Sequence, residues 1–166
     1  MSDALIGLGG NLGDARAALD EAVRRFCDSE TVRLVARSSD YQTPPWGVVD
    51  QPPFVNLCLR VETALSPHAL LARALSVEAS LGRNRAVERR WGERIVDIDI
   101  LAYDDLAIDE PSLRLPHPRL AERAFVLVPL IEIAPERLIG GETVHALAVR
   151  LDARGIMRLP PKRLTT

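Results

Sequence analysis

Two aspartates, Asp97 and Asp99, lie in an otherwise apolar stretch directly after a segment rich in arginine. The alternation of residue types over residues 94–101 predicts a β-strand. Residues two apart on a strand point to the same face, so the two carboxylates are expected to be neighbours. Two adjacent, partly buried carboxylates need a compensating charge, which a divalent cation would provide. The pair is therefore a candidate magnesium site.

The arginine segment offers a partner chemistry for that cation. Guanidinium groups bind phosphate oxygens in pairs, and together with a carboxylate-bound Mg²⁺ they are the groups needed to hold a nucleoside triphosphate. An arginine run taken alone is often solvated surface, and the two aspartates alone could equally be the solvated face of an edge strand. Their direct juxtaposition favours the phosphate-binding interpretation. The arginines are Arg83, Arg85, Arg89, Arg90 and Arg94.

Three further motifs are ambiguous when each is taken alone. The glycine-rich run at residues 9–13 lacks a lysine and fits neither the Walker A nor the Rossmann spacing, so a turn from a strand into a helix is favoured over a phosphate loop. His117 stands between two prolines, and a lone histidine is more often structural than catalytic. Glu78 falls near the end of a predicted helix, where a surface acid is the simplest interpretation.

Aromatic residues are scarce at 4% of the chain, yet three of them lie around one proline-rich loop. Tyr41, Trp46 and Phe54 flank or occupy residues 43–53, which contain four prolines and so are not expected to form regular structure. The cluster indicates either a pocket for a flat ligand or a small satellite core.

Composition bounds the class of protein. The chain has 166 residues, 47% hydrophobic and 27% charged, with a formal net charge of −2, which suits one globular domain over residues 1–166 and no general affinity for nucleic acid. No signal peptide or long apolar span is apparent, so we expect a cytoplasmic protein without a membrane partner. Cys27 and Cys58 are expected to be free thiols, although a disulfide between them remains open. Residues 154–166 are expected to form a weakly structured tail.

Hydrophobic periodicity predicts the elements in the order β-α-β-β-α-β. The second helix begins at Ser66-Pro67 and ends before Gly82. This order is typical of an α+β, ferredoxin-like fold with an antiparallel sheet, followed here by C-terminal helices. The predicted strands cover residues 4–8, 32–41, 54–63 and 94–101; the predicted helices end near Cys27 and at Leu81, and two more cover residues 120–133 and 143–151.

Read in order, the motifs resemble the hydroxymethyl-dihydropterin pyrophosphokinase family of the folate pathway, over Gly7 to about Pro135. The arginine, aspartate and histidine motifs in this order are highly specific, whereas the glycine motif alone is weak. The motifs are Gly7-Leu8-Gly9-Gly10-Asn11-Leu12-Gly13-Asp14, Tyr41-Gln42-Thr43-Pro44-Pro45-Trp46-Gly47, Asp50-Gln51-Pro52, Phe54-Val55-Asn56, Gly82-Arg83-Asn84-Arg85, Arg90-Trp91-Gly92-Glu93-Arg94, Asp97-Ile98-Asp99-Ile100 and Pro116-His117-Pro118-Arg119.

The resemblance implies transfer of a pyrophosphoryl group from ATP to the hydroxymethyl oxygen of the pterin, with release of AMP. It implies that two Mg²⁺ ions bind Asp97 and Asp99 and that Arg83 and Arg94 are catalytic. It further implies two sets of binding residues: for ATP, Arg85, His117, Arg123 and Glu78; for the pterin, Thr43, Pro44, Trp46, Phe54, Asn56 and Phe125.

The chain departs from the family pattern in a few places. Gly10 stands where a serine is common, Leu75 where some members have a polar nucleotide contact, and Pro118 where some have tyrosine. The arginine loop is one residue longer than in some members, so either Arg89 or Arg90 can occupy the family's position.

Two other classes of protein share parts of this pattern. A ferredoxin-like RNA-binding module would expose aromatic residues on its central strands, where this chain instead carries acids. A metal-dependent nuclease would need acids from more elements and a longer basic groove. The resemblance implies instead an enzyme that acts on small molecules with ATP and Mg²⁺, and we expect a monomer.

Overall fold

The computed structural model describes residues 1–47, 49–84, 86 and 92–163. The elements are β1 (Ser2–Gly10), α1 (Ala15–Phe26), β2 (Val32–Arg37), β3 (Tyr41–Thr43), β4 (Phe54–Thr63), α2 (Pro67–Ser80), β5 (Asp97–Tyr103), β6 (Ile108–Asp109), β7 (Arg114–Leu115), a 3₁₀ turn (Leu120–Glu122), α3 (Ala124–Ile133), β8 (Leu138–Ile139), β9 (Glu142–Thr143), α4 (Val144–Ala148) and β10 (Met157–Arg158).

The main sheet is antiparallel, with the strand order β10-β3-β4-β1-β5, and β2 pairs with the far end of β4. If β2 and β3 are counted as one interrupted strand, the order is that of the ferredoxin-like fold. The predicted α+β, ferredoxin-like class is therefore confirmed. The fourth strand of the motif, β5, begins at Asp97, so the candidate acidic pair lies at the start of a strand that pairs with β1.

Each face of the sheet packs against its own set of helices. Leu19 and Phe26 of α1 and Leu70 of α2 pack in one core with alternate residues of β1, β4 and β5. Leu127 and Leu130 of α3 pack on the opposite face in a second core. Helices were expected on one face of the ferredoxin-like motif, and that arrangement holds for α1 and α2; the C-terminal helices cover the other face.

The helix boundaries follow from local chemistry. The carboxylate of Asp14 accepts a hydrogen bond from the amide of Ala17 at the start of α1, and the hydroxyl of Ser66 does the same for Ala69 at the start of α2. Gly82 follows α2 with a φ of +91°, a conformation that glycine adopts without steric cost. The predicted N-cap serine and C-terminal glycine of α2 are confirmed.

Two strand predictions need correction. The segment predicted as one strand, residues 32–41, is divided into β2 and β3. At the break, the hydroxyl of Ser38 accepts a hydrogen bond from the amide of Cys58 and interrupts the backbone pairing with β4. Gly9 and Gly10, predicted to begin a turn, still belong to β1.

The C-terminal tail also differs from expectation. Met157–Arg158 form β10, which pairs with β3, and the amide of Leu159 donates to the carbonyl of Asp40 at 2.8 Å. The expectation of a weakly structured tail is therefore wrong for this part. Met157 is 56% exposed, so main-chain hydrogen bonds rather than burial hold the strand, and such a strand leaves little hydrophobic pattern in the sequence.

No helix in the described part of the chain is long and apolar enough to cross a membrane. Cys27 and Cys58 are free thiols, as expected, and burial raises the pKa of Cys27 to about 11.

Candidate active site

A pocket opens where the ends of β1, β4 and β5 meet the loop after β3 and the start of α3. Its wall combines an aromatic and amide half with an acidic and basic half. All six predicted pterin-binding residues line it, together with one catalytic candidate, both metal candidates and one ATP candidate. They are Thr43, Pro44, Trp46, Phe54, Asn56 and Phe125, and Arg94, Asp97, Asp99 and Arg123.

The two aspartates take the arrangement that strand periodicity predicts. Asp97 pairs with Gly9 of β1 and Asp99 with Gly7, while the intervening Ile98 is 3% exposed in the core on the opposite face. Both carboxylates therefore point to the pocket side of β5. The two opposing positions are both glycine, so β1 itself places no side chain in front of the carboxylates.

The environment of Asp99 suits a cation. Burial, reinforced by the negative charge of Asp97, raises the pKa of Asp99 to about 7, and the positive charge of Arg123 opposes this rise. Nη1 of Arg123 lies 3.8 Å from Oδ2 of Asp99, so the two groups attract each other but are too far apart for a hydrogen bond. A hard cation between the two carboxylates would remove the repulsion between them.

Arg123 adds a positive charge to the pocket wall beside Asp99. Its Nε is buried and has no hydrogen-bond acceptor among the described residues. Burial lowers the pKa of Arg123, with attraction to Asp99 and Asp97 acting in the other direction. A buried guanidinium nitrogen without an acceptor fits an anionic ligand such as a phosphate oxygen.

Arg83 and Glu78 form a buried ion pair behind the acidic pair. Their side chains are 4% and 1% exposed, and Nη1 of Arg83 lies 2.9 Å from Oε1 of Glu78 and 2.8 Å from Oδ1 of Asp97. Oε1 of Glu78 also accepts the amide of Ile98 at 2.8 Å. The interpretation of Glu78 as a surface acid is therefore wrong. Its burial favours a role in positioning Arg83 over direct contact with ATP.

Asn56 is held by a second strand and a glycine. Its Nδ2 donates to Oγ1 of Thr43 at 2.7 Å, and both side chains are buried. A Cβ built on Gly9 of the adjacent strand would overlap Oδ1 of Asn56. The glycine is needed here for the close approach of an amide, a role that its sequence motif does not reveal.

Two aromatic rings and an arginine form the outer wall of the pocket. The rings of Trp46 and Phe125 are 6.3 Å apart between centroids, tilted by 58°. The guanidinium carbon of Arg123 lies 5.0 Å from the Trp46 centroid and 5.6 Å from the Phe125 centroid. Such cation–π contacts stabilise the positively charged guanidinium of Arg123 and fix its orientation. Of the two sequence interpretations, the aromatic-lined pocket is supported for Trp46 and Phe54, whereas Tyr41 is not part of the pocket wall and its hydroxyl bonds to Glu132.

His117 lies beside the charged half but is not part of the pocket wall. Its Nδ1 accepts the amide of Arg119 at 3.1 Å, so in the neutral ring the proton is on Nε2. Burial and the nearby charge of Arg123 lower the pKa of His117 to about 4, with attraction to Asp97 opposing the shift. At neutral pH, His117 is therefore an uncharged hydrogen-bond donor.

Some predicted residues cannot be assigned a place. Arg85, Arg89 and Arg90 lie outside the described residues. Sequence reasoning also missed the roles of Gly9 and Asn11, which act through residues distant in the chain. Asn11 was part of a quoted motif, but nothing in its local sequence indicated which residues it contacts.

Within residues 1–47, 49–84, 86 and 92–163, there is no cluster of three or more His, Cys, Asp or Glu side chains that could hold a metal. Two carboxylates alone suit Mg²⁺, which keeps several waters and commonly takes its remaining ligands from substrate phosphates. The donor set therefore fits a cation that binds together with a polyphosphate.

Comparison with known proteins gives a consistent family. Residues 5–135 match the model of 7,8-dihydro-6-hydroxymethylpterin-pyrophosphokinase (HPPK). The chain is 52% identical over 159 residues to the 2-amino-4-hydroxy-6-hydroxymethyldihydropteridine pyrophosphokinase of Methylorubrum extorquens, covering 96% of this chain and 99% of that protein. It is 39% identical over 156 residues to the Pseudomonas aeruginosa protein of the same name, covering 93% and 95% of the two chains.

Solved structures share the fold at low sequence identity. An HPPK-DHPS in complex with substrates matches with a TM-score of 0.74 and 14% identity over 95% of this chain. Plasmodium falciparum HPPK-DHPS with pteroate matches with a TM-score of 0.70 and 16% identity over 90% of this chain. The chain spans 46% and 42% of the length of those two solved chains.

Proposed function

The chain belongs to the 7,8-dihydro-6-hydroxymethylpterin-pyrophosphokinase family and is a pyrophosphokinase, and we propose that it transfers the pyrophosphoryl group of ATP to 6-hydroxymethyl-7,8-dihydropterin in folate biosynthesis. One juxtaposition carries the proposal for substrate and mechanism. The amide and aromatic groups suited to a planar heterocycle share a pocket with carboxylates and guanidinium groups suited to a magnesium polyphosphate.

The reaction has a simple balance. The hydroxymethyl oxygen of the pterin attacks the β-phosphorus of ATP, a bond forms between them, and the bond from that phosphorus to the oxygen bridging the α-phosphorus breaks. AMP leaves with that oxygen, and the proton of the hydroxyl group is released. Negative charge develops on the bridging and non-bridging oxygens, so positive groups placed around them lower the barrier.

Asp97 and Asp99 are proposed to hold two Mg²⁺ ions. When bound, these ions neutralise the triphosphate charge and lower the pKa of a coordinated hydroxyl group. The support from this chain is the side-by-side carboxylates of β5 and the pKa of Asp99, which burial and the charge of Asp97 raise above its ordinary value.

The basic groups are proposed to bind the phosphates from several directions. Arg94 and Arg123 line the pocket, and Nε of Arg123 has no acceptor in the described part of the chain. His117 would add a neutral Nε2–H donor. Arg83 would hold Asp97 in place and add positive charge behind it, with Glu78 fixing the guanidinium. Arg85 completes the proposed ATP set by family resemblance.

The pterin-binding half of the pocket is proposed to form hydrogen bonds with one edge of the pterin ring and to stack on both of its faces. Asn56, oriented by Thr43, can donate and accept hydrogen bonds as an aminopyrimidinone edge requires. Phe54 and Phe125 would stack on the ring faces, with Trp46 and Pro44 closing the pocket. Two bound substrates in one pocket place nucleophile and phosphorus in line, which removes an entropic cost from the reaction.

The decisive experiment incubates the protein with ATP, MgCl₂ and 6-hydroxymethyl-7,8-dihydropterin and separates the nucleotide products. We expect AMP in proportion to pterin diphosphate. ADP as the main product would contradict pyrophosphoryl transfer, and AMP formation at full rate in EDTA would contradict the magnesium assignment.

A matched pair of variants tests the acidic site. Asp97→Asn removes a pocket carboxylate, and the expected result is a rate below roughly one-hundredth of wild type with the fold retained. Asp109→Asn removes a carboxylate whose side chain is 91% exposed, outside the site, and is expected to leave the rate unchanged. Equal rates in the two variants would overturn the metal assignment.

We also propose that the protein acts as a monomer in the cytoplasm on these small molecules, without a nucleic-acid partner. A single species of about 18 kDa in sedimentation or light scattering would support the monomer, and a stable dimer would contradict it.

A further inference from the structure

Asn11 connects the two loops that border the pocket. It follows β1 directly and is 6% exposed. Its Oδ1 accepts the backbone amide of Arg94 at 2.8 Å, and its Nδ2 donates to Oε1 of Gln51 at 3.0 Å and to the carbonyl of Pro52 at 2.9 Å. One side chain therefore bonds to the end of the arginine loop and to the end of the proline-rich loop.

The chemistry of the partners determines the orientation of the amide. The Arg94 amide can only donate and the Pro52 carbonyl can only accept, so Oδ1 must face Arg94 and Nδ2 must face Pro52. With Gln51 as the second acceptor, both hydrogens of Nδ2 are used. Serine, threonine or aspartate could accept from Arg94, but none of them could also donate two hydrogen bonds to the other loop.

The main chain makes the connection to Arg94 rigid. The amides of Asn11 and Leu12 both donate to the Arg94 carbonyl, at 2.9 and 3.1 Å. A Cβ built on Gly10 would overlap the carbonyl oxygen of Ile95, so the two segments touch backbone to backbone. The end of the arginine loop therefore cannot move relative to β1 without breaking these hydrogen bonds.

Both loop ends lead directly into proposed substrate contacts. Arg94 itself lines the pocket on the phosphate side, and Pro52 lies two residues before Phe54, which begins β4 and lines the pterin side. A shift at either loop end would break hydrogen bonds of the buried Asn11 amide, and leaving a buried amide without its partners is costly.

We propose that Asn11 is a positioning residue that couples the two half-sites, so that the nucleotide and the pterin strengthen each other's binding through it. This inference rests on the proposed function, because it assumes that the two half-sites bind a nucleotide and a pterin. A residue that merely capped the turn after β1 would bond within its own loop, whereas the Asn11 side chain bonds to residues 40, 41 and 83 positions away.

The test compares Asn11→Asp with wild type. Aspartate keeps the size of the side chain and the acceptor for the Arg94 amide, but it cannot donate to Gln51 or Pro52. The measurement is the dissociation constant of α,β-methylene-ATP with Mg²⁺, without and with saturating 6-hydroxymethyl-7,8-dihydropterin. The ratio of the two constants is the coupling factor between the ligands.

We expect wild type to show clear mutual strengthening and Asn11→Asp to reduce the coupling factor by roughly ten-fold or more, from the loss of two part-buried hydrogen bonds. The affinity for the analogue alone should change by less than about three-fold, since the Arg94 contact is kept. Gln51→Leu, which removes one of the two acceptors, should give an intermediate reduction.

The control is Asp14→Ala, which removes the N-cap of α1 three residues away and destabilises the same turn. It should lower stability without changing the coupling factor. An unchanged coupling factor in Asn11→Asp, an equal reduction in Asp14→Ala, or no coupling in wild type would each overturn the inference. If wild type forms AMP but gives any of these results, only the role of Asn11 is refuted and the proposed function stands. If wild type forms no AMP, both the proposed function and the role of Asn11 are refuted.

Discussion

Replacing Glu78 tests the buried ion pair that supports the acidic site. In Glu78→Ala, Arg83 loses a carboxylate partner and the amide of Ile98 loses its acceptor. Breaking a buried pair from one side costs about 3 to 5 kcal/mol, and the lower end applies because Asp97 still faces Arg83. For a chain of this length, about 3 kcal/mol corresponds to a fall in Tm of roughly 6 to 12 °C.

Glu78→Gln removes the negative charge that faces Arg83 but keeps an acceptor for the amide of Ile98. The amide oxygen can still accept from Ile98, so the expected loss is about 1 to 3 kcal/mol in the free energy of unfolding. If Glu78 acts by positioning Arg83, kcat should fall more than the KM for ATP rises. Urea unfolding and steady-state AMP formation on the same preparations supply both quantities.

Glu62→Gln is the matched control, because Glu62 pairs with Arg33 where the two side chains are 34% and 55% exposed. Its expected cost is about 0 to 1 kcal/mol, with unchanged kinetics. Equal losses of stability in Glu78→Gln and Glu62→Gln would contradict the argument that burial makes the Glu78–Arg83 ion pair more important than an exposed one. A higher KM for ATP with unchanged kcat and stability in Glu78→Gln would show instead that Glu78 contacts the nucleotide directly.

Three further predictions use other contacts. Gly9→Ala should push the amide of Asn56 aside and raise the KM for the pterin by roughly ten-fold or more, with little change in the KM for ATP; equal changes in both would contradict the assignment. His117 has a pKa of about 4 in the folded protein, below its ordinary value of 6.5, so the unfolded chain takes up a proton first and the free energy of unfolding should fall as the pH drops from about 6.5 to 4. An NMR titration of the ring should show the neutral form, protonated on Nε2, at pH 6. A charged ring at that pH would refute the burial argument. Burial raises the pKa of Cys27 to about 11 and that of Cys58 further, so DTNB at pH 8 should label the native protein roughly a hundred-fold more slowly than the urea-unfolded chain, and equal rates would contradict thiol burial.

Much of the fold and of the candidate site was accessible from local patterns. The alternation around Asp97 and Asp99 predicts which face of a strand they share, because side-chain direction repeats every two residues whatever the tertiary context. In the same way, Ser66-Pro67 and Gly82 predict the limits of α2, since capping depends on the backbone within a few residues.

Only the tertiary structure decided how those parts bear on one another. The position of Glu78 in its helix predicts a surface acid, yet in the folded protein its carboxylate is buried, bonded to the amide of Ile98 in β5 and paired with Arg83. Asn11 reads as a turn residue, yet its amide bonds to residues as far as 83 positions away.

The C-terminal strand β10 was also beyond the reach of sequence patterns, because it is held to β3 by backbone groups that every residue carries. Sequence periodicity records how a residue meets its neighbours in the chain. Contacts between distant segments depend on packing geometry, and they exist only once the sheet and its helices have assembled.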